Sequence, residues 1–90
     1  MLQPKTTNKF EKDLQKAKKQ GRDIATLKQI MLSLMNEIPL NAKFLDHPLK
    51  GNWKNCRECH IQNDWLLIYR LLKQEKEIWF ERLGSHSELF

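Results

Sequence analysis

The spacing of apolar residues changes at Pro39, and this change constrains the fold more than any other feature of the chain. Before Pro39 the apolar side chains recur every three or four positions, as on one face of an α-helix. They are Ile24, Leu27, Ile30, Met31, Leu34, Met35 and Ile38. After Pro39 the pattern favours β-strands at residues 57–61, 65–72 and 77–83. The sequence therefore predicts an α+β domain in which two N-terminal helices pack on a small antiparallel sheet.

Capping residues predict where the two helices begin and end. The first helix starts at the capping pair Asn8 and Glu11, carries lysines on its outer side and ends at Gly21. The second helix spans residues 23–38, with Asp23 as its N-cap.

The other elements are predicted as strands and turns. Residues 2–6 favour a short strand that Pro4 confines to a sheet edge, because proline cannot donate a backbone hydrogen bond. Residues 40–52 predict a loop leading into a short strand around Trp53. In the segment 65–72 both alternating sets are apolar, which is typical of a central strand covered on both faces. The last two strands are predicted to form an antiparallel hairpin.

Length and charge limit the function. Ninety residues fit one domain, residues 1–90, with no room for a separate cofactor domain. Sixteen Lys and Arg against eleven Asp and Glu give a net charge of +5, which favours a polyanionic partner; a basic surface without any partner is the alternative. No apolar run is long enough for a membrane span and the N-terminus lacks a signal-peptide pattern. We expect a cytoplasmic protein without a membrane partner, whose cysteines stay reduced.

All three histidines lie in the second half of the chain, each in a segment that also carries charge and an aromatic or turn residue. The segments are DHPLKGNWK around His47, RECHIQNDW around His60 and RLGSHSELF around His86. Histidine is the side chain whose ordinary pKa, about 6.5, populates both proton forms near neutral pH. Three such groups in a basic domain suggest acid-base cleavage of a phosphodiester.

The neighbouring residues supply the other groups that RNA cleavage needs. Attack by the 2′-hydroxyl requires a base, an acid for the leaving 5′-oxygen and cations for the phosphate, but no metal or other cofactor. The candidate charged groups are Lys50, Lys54, Arg57, Asp64, Arg70 and Arg82. Trp53, Trp65 and Phe90 are candidates for stacking on bases, although both tryptophans also suit the core.

The segment CRECH, residues 56–60, matches the haem attachment pattern C-x-x-C-H. Haem of that kind needs an exported protein, so this interpretation is disfavoured. Zinc bound through Cys56, Cys59 and a nearby histidine is the fairer alternative, but there is no second C-x-x-C, and strand residues three apart point to opposite faces. The favoured interpretation is that one thiol is a buried apolar group and the other is incidental.

The segments DHPLKGNWK, RECHIQNDWLLIY and RLGSHSELF, preceded by two helices, resemble the YafQ-like branch of the RelE/ParE toxin superfamily. The resemblance covers essentially the whole chain, with three motifs in the family's order and at similar spacing. It implies a compact fold like that of small microbial ribonucleases. It also implies an endoribonuclease toxin of a type II toxin-antitoxin pair that cuts mRNA, commonly in the ribosomal A site, and is held inactive by a cognate antitoxin.

By match to the family's motifs, His47, His60, Asp64 and His86 are the implied catalytic residues. Phe90 matches an aromatic residue near the end of the family's tail, and Glu58 matches a position that is often acidic, which makes it a possible accessory. Side-chain chemistry and this match together assign His86 as general acid and Asp64 or His60 as base. The phosphate would be held by His47, Lys50, Arg57 and Arg82, and Lys54, Trp65 and Phe90 are further candidate contacts with RNA.

Two other functions remain open at this stage. The chain could be a toxin that binds a protein target, as the ParE side of the superfamily binds DNA gyrase, but such a toxin needs no histidine cluster. It could also be a non-catalytic nucleic-acid-binding module that uses the basic helix from Lys9 to Lys19. Either toxin reading predicts a neutralising antitoxin whose acidic segment covers the basic site.

Overall fold

A computed structural model describes residues 1–90 and contains one five-stranded sheet and three helices. The helices are α1 (Asn8–Lys19), α2 (Ile24–Met35) and α3 (His86–Leu89). The strands are β1 (Gln3–Thr6), β2 (His47–Pro48), β3 (Arg57–Gln62), β4 (Trp65–Leu72) and β5 (Glu77–Gly84). None of the three helices is long and apolar enough to cross a membrane.

The strand order is β1-β5-β4-β3-β2. The predicted α+β class is confirmed, as are the edge position of β1 and the β4–β5 hairpin. The sheet is mixed rather than purely antiparallel, because β1 pairs with β5 in parallel while the other three pairs are antiparallel. Both long helices lie in the connection between β1 and β2, which carries the chain from one edge of the sheet to the other. Strands β3 and β4 then lead back across the sheet to β5, which runs beside β1 in the same direction.

The start of α1 differs by one residue from the prediction. Its N-cap is Thr7, whose hydroxyl accepts the Phe10 N–H at 3.0 Å, and not Asn8. The chain leaves α1 through Gly21, whose φ of +72° lies in the left-handed region that glycine adopts without strain.

The predicted start of α2 is confirmed, but its predicted end is wrong. Asp23 accepts the Thr26 N–H at 3.0 Å, as an N-cap does. The helix stops at Met35, three residues before the predicted boundary, because Glu37 takes a left-handed conformation with φ of +56°. Ile38 consequently lies outside the helix and is 54% exposed.

The strand predicted around Trp53 does not form. Residues Gly51–Trp53 are a 3-10 turn, since Gly51 and Asn55 have left-handed φ values of +65° and +74° that interrupt extended backbone. The strand in this region is instead β2, where His47 pairs with Glu58. A second 3-10 turn, Ala42–Phe44, also interrupts the predicted loop.

The two faces of the sheet carry hydrophobic clusters of different size. The larger cluster joins α1 and α2 to one face and includes Phe10, Leu27 and Phe80. The smaller cluster lies on the other face, where Leu66, Ile68 and Leu89 are buried. The prediction that β4 is covered on both faces is therefore confirmed, and α3 supplies part of the second cover.

The short helix α3 is fixed by interactions at its first turn. The Ser85 hydroxyl accepts the Glu88 N–H at 3.3 Å and Glu88 accepts the Ser85 N–H at 2.8 Å, which forms a capping box. Glu88 also pairs with Lys16 and so ties α3 to α1. A Cβ at Gly84 would lie 3.1 Å from Glu88 Oε1 and 3.3 Å from Leu89 Cδ2, so glycine leaves room for α3 to fold this closely.

The carboxylate of Glu88 should make the stability of the fold depend on acid pH. Hydrogen bonding from Lys16, and then from the Ser85 N–H, lowers the pKa of Glu88 from its ordinary 4.5 to about 2. A lowered pKa gives stability that is fully present above about pH 4.5 and is lost as pH falls towards 2. Glu88→Ala should cost about 1 kcal/mol at pH 7, as the loss of a helix cap does.

Thermal unfolding of the wild type and Glu88→Ala between pH 2 and pH 7 measures this effect. The difference in Tm between them should narrow as pH falls below about 4.5. Glu88→Gln, which keeps the capping geometry without the charge, should lie between the two at pH 7. A difference in Tm that stays constant over the whole range would contradict the assignment.

Candidate active site

The three histidines converge on the face of the sheet opposite α1 and α2. The ring centroids of His47 and His60 lie 6.2 Å apart, and those of His60 and His86 lie 5.8 Å apart. Pairing of His47 with Glu58 brings β2 beside β3, and α3 folds back so that His86 reaches His60. Three imidazoles from distant parts of the sequence therefore share one surface.

Glu58 lies at the centre of this cluster. Strand alternation puts it on the same face as His60, two residues away. Its side chain is 5% exposed, and its Oε2 lies 2.8 Å from His47 Nε2 and 3.5 Å from His60 Nε2. From sequence, Glu58 is predicted only as a possible accessory residue, although its spacing of two residues from His60 on a predicted strand is a signal that the two side chains share a face.

Asp64 holds the side chain and the backbone of His86 together. Its Oδ1 accepts the His86 N–H at 3.0 Å and lies 3.0 Å from the ring Nδ1. The backbone hydrogen bond, and then the ring hydrogen bond, lower the pKa of Asp64. Because an ionised carboxylate only accepts, Nδ1 carries the proton in this contact and Nε2 is left for a substrate. Asp64 reaches this position through a left-handed turn, φ +52°, which aspartate tolerates better than most residues.

The structure contradicts the phosphate role predicted for Arg57. This residue alternates with Glu58, so its side chain lies on the other face of the sheet. There its Nε donates to Asp46 at 3.2 Å, and Asp46 also accepts the Tyr69 hydroxyl at 2.5 Å. Arg57 thus links β3 to the segment that leads into β2.

The phosphate role predicted for Arg82 is not supported either. Its Nε and Nη2 donate to the two carboxylate oxygens of Asp13 at 2.8 and 3.2 Å. Asp13 also accepts the Leu83 N–H at 3.0 Å. The two-pronged pair fastens α1 to β5 and uses the donors that a phosphate would need.

The predicted stacking role of Trp65 is wrong, because its side chain is only 2% exposed and belongs to the larger hydrophobic cluster.

Phe90, by contrast, is accessible to a base. It is 58% exposed, with its ring 6.1 Å from that of His86 and 6.2 Å from that of Trp53. Phe90 is thus an open aromatic surface at one side of the histidine cluster. Lys50 and Lys54, which flank the turn carrying Trp53, are both exposed.

A groove of about 480 Å³ continues from His60 towards α2. Its lining combines the amides of Gln29, Gln62 and Asn63 with the ring of Phe44. Amides can hydrogen-bond to base edges and an aromatic ring can stack on a base, so these groups suit a nucleotide beside His60.

His47, Glu58 and His60 could also hold a metal ion, since their candidate ligand atoms all lie within 4.8 Å of one another. Two imidazole nitrogens and a carboxylate oxygen suit zinc or copper. Glu58 Oε1 is buried without a hydrogen-bond partner, and a cation at this place would compensate that atom. The residues present therefore fit a transition metal.

The cysteines do not form a metal or haem site together. Cys59 lies in the larger hydrophobic cluster and Cys56 in the smaller one, on opposite faces of the sheet. Both are buried free thiols, and burial raises the pKa of Cys59 to about 12. The prediction of one buried apolar thiol extends to both cysteines.

Comparison with known proteins identifies the family of this chain. The family described as "Bacterial toxin of type II toxin-antitoxin system, YafQ" matches residues 2–90. The mRNA interferase toxin YafQ of Escherichia coli K12 is 42% identical over 85 residues, which cover 93% of this chain and 90% of that protein.

Solved structures agree in fold over the whole chain. A metal-bound toxin from Helicobacter pylori is 49% identical, with a TM-score of 0.95 and complete coverage of both chains. The toxin of the E. coli DinJ-YafQ complex is 40% identical, with a TM-score of 0.90, covering 100% of this chain and 99% of that one. The chain therefore belongs to the YafQ family of bacterial toxins from type II toxin-antitoxin systems.

Proposed function

We propose that this chain is an endoribonuclease that cleaves mRNA by acid-base catalysis, with the 2′-hydroxyl of the RNA as the nucleophile. The observation that carries the proposal is the pair of imidazoles, His60 and His86, whose rings lie 5.8 Å apart on one exposed surface. The name of the E. coli relative, an mRNA interferase, supports the same substrate.

His86 is the general acid in this proposal. Asp64 holds its Nδ1, so Nε2 faces outward with a proton for the leaving 5′-oxygen. The side chain of His86 is also the most exposed of the three histidines, which gives the RNA access to it.

His60 is the general base in this proposal, chosen over Asp64. The Oδ1 of Asp64 already accepts two hydrogen bonds from His86, and its lowered pKa makes it a poor proton acceptor. Asp64 is instead a positioning residue for His86. Glu58 is likewise a positioning residue, for His47 and His60.

Exposed cations and Phe90 hold the RNA in this proposal. His47 lies on the far side of His60 from His86, where it can contact the phosphate as charge develops. Lys50 and Lys54 provide nearby positive charge and Phe90 stacks on a base.

The chain acts at the ribosome and is neutralised by a cognate antitoxin whose acidic segment covers the histidine cluster. The net charge of +5 supports an acidic partner, and the E. coli relative has been solved in complex with DinJ. The rival function, inhibition of a protein target such as DNA gyrase, would leave the convergence of three histidines without a role. Inhibition of supercoiling by a chain that cuts no RNA would favour that rival.

His86→Ala should reduce RNA cleavage by roughly two to four decades, the usual contribution of a general acid. The rate is measured with purified protein and mRNA, with and without translating ribosomes. Lys73→Ala is the control, because the β4–β5 turn lies at the opposite end of β4 from Asp64. An unchanged rate in His86→Ala would remove this residue from the mechanism.

Asp64→Asn should lower cleavage by about one to two decades, as loss of an orienting carboxylate typically does. Asparagine tolerates the left-handed turn, so the backbone is preserved. The informative readout is the pH-rate profile. If Asp64 positions His86 and is not the base, the acid limb of the profile should remain while the rate falls over the whole pH range. An alkaline limb unchanged in position, with the acid limb abolished, would instead identify Asp64 as the base.

Metal binding should inhibit cleavage, because a metal on His47, Glu58 and His60 would occupy the His60 nitrogen that accepts the proton. The H. pylori relative is described as metal-bound, which supports this part of the proposal. Zn²⁺ should lower the cleavage rate and a chelator should restore it. By calorimetry, His60→Ala should bind Zn²⁺ weakly, whereas the matched variant His86→Ala should bind like the wild type. Equal affinity in both variants would contradict this metal site.

A further inference from the structure

The chain has four arginines, and three of them form ion pairs with carboxylates. Arg57 pairs with Asp46, Arg70 with Glu81 and Arg82 with Asp13. Arg22 is the fourth, and no carboxylate oxygen lies within 4.0 Å of its guanidinium nitrogens. Arg22 is therefore the one arginine without an ion pair, and its guanidinium can bind a phosphate without giving up a carboxylate.

Arg22 lies near the β3–β4 turn that carries Asp64, although it is far away in sequence. Its guanidinium carbon sits 5.7 Å from the ring centroid of Trp65, the residue that follows Asp64. The charge of Arg22 also reaches Asp64, where it adds to the larger effects of the two hydrogen bonds from His86 in lowering the pKa of that carboxylate.

The backbone around Arg22 is fixed to the site. The Arg22 N–H donates to the Ala17 carbonyl at 3.1 Å, and the next N–H, of Asp23, donates to the Gln62 side chain at 3.2 Å. Gln62 ends β3, next to the turn that carries Asp64. The turn between α1 and α2 is therefore fastened to the turn that positions His86.

We propose that Arg22 is the arginine that binds the RNA backbone, through a phosphate on the Asp64 side of His86. This inference rests on the proposed ribonuclease function and replaces Arg57 and Arg82 as phosphate contacts. Trp65 orients the guanidinium from below by a cation–π contact, while Lys50, Lys54 and Phe90 bind the strand on the other side. The bound RNA would then pass across His86 from Arg22 to Phe90.

The test compares Arg22→Met with Lys28→Met. Both variants replace one cation by an apolar side chain, but methionine at position 22 still covers Trp65, and Lys28 is an exposed residue of α2. Affinity is measured for an RNA with a 2′-O-methyl group at the cleavage position, which binds but lacks the nucleophile. Cleavage is measured with the unmodified RNA, and thermal unfolding checks that both variants are folded.

Arg22→Met should weaken RNA binding about ten- to hundredfold, as expected for a lost charge-assisted contact with phosphate. The slope of log affinity against log salt should fall by about 0.7, the value for one phosphate of a single strand. Lys28→Met should change neither quantity appreciably. Equal effects of the two substitutions, in folded proteins, would overturn the role of Arg22.

The outcome can be separated from a failure of the proposed function. If the wild type binds RNA but forms no product, the nuclease proposal fails while the affinity comparison still tests Arg22. If the wild type cleaves and Arg22→Met cleaves equally well, the inference about Arg22 fails alone. If Arg22→Met is unstable, Arg22→Lys can replace it, because lysine still covers Trp65 and keeps the positive charge but lacks the planar guanidinium. Wild-type RNA affinity of Arg22→Lys would contradict a contact made by two guanidinium nitrogens.

Discussion

Asp64 accepts hydrogen bonds from the backbone and the ring of His86, and the candidate site depends on this double contact. It fixes the start of α3 against the β3–β4 turn and sets the direction of the imidazole at the same time. A short helix of four residues has little stability of its own, so it needs such anchors. The capping box of Ser85 and Glu88, and the burial of Leu89, supply the others.

The two faces of the sheet have different roles, since one supports the main hydrophobic core and the other carries the candidate site. One face packs on α1 and α2 and carries the larger cluster, while the other carries Glu58, His60 and the smaller cluster that α3 completes. Most arginines serve the structure, because Asp13, Asp46 and Glu81 hold their guanidinium groups. Net positive charge alone is therefore a poor guide to which cation meets a substrate, and the unpaired Arg22 is the better candidate.

The long elements could be predicted from sequence because their patterns are local. The apolar repeat of α2, the N-cap Asp23 and the apolar strand β4 each carry their signal within a few residues. The end of α2 and the strand expected at Trp53 were wrong, because Glu37 takes a left-handed conformation two residues before the stop signal Pro39 and Asn55 takes one two residues after Trp53. The parallel pairing of β1 depends on the whole chain path and has no local signal.

The histidines of the site and the carboxylates Asp64 and Glu58 could be named from sequence, but which carboxylate contacts which histidine could not. That His47, His60 and His86 share one surface follows from strand register and from the fold of α3, which no spacing rule contains. The roles predicted for Arg57, Arg82 and Trp65 rested on residue type alone. In the structure Arg57 pairs with Asp46, Arg82 pairs with Asp13 and Trp65 is buried in the core. Such long-range contacts determine which side chains remain free for a substrate.

The chemical ends of the cleaved RNA test the central claim most directly. Attack by the 2′-hydroxyl, with His86 protonating the leaving oxygen, predicts a 2′,3′-cyclic phosphate on one fragment and a 5′-hydroxyl on the other. Mass spectrometry of the fragments distinguishes these ends from those of attack by water. A 5′-phosphate product, or undiminished cleavage of an RNA that lacks the 2′-hydroxyl at the cut position, would contradict the mechanism.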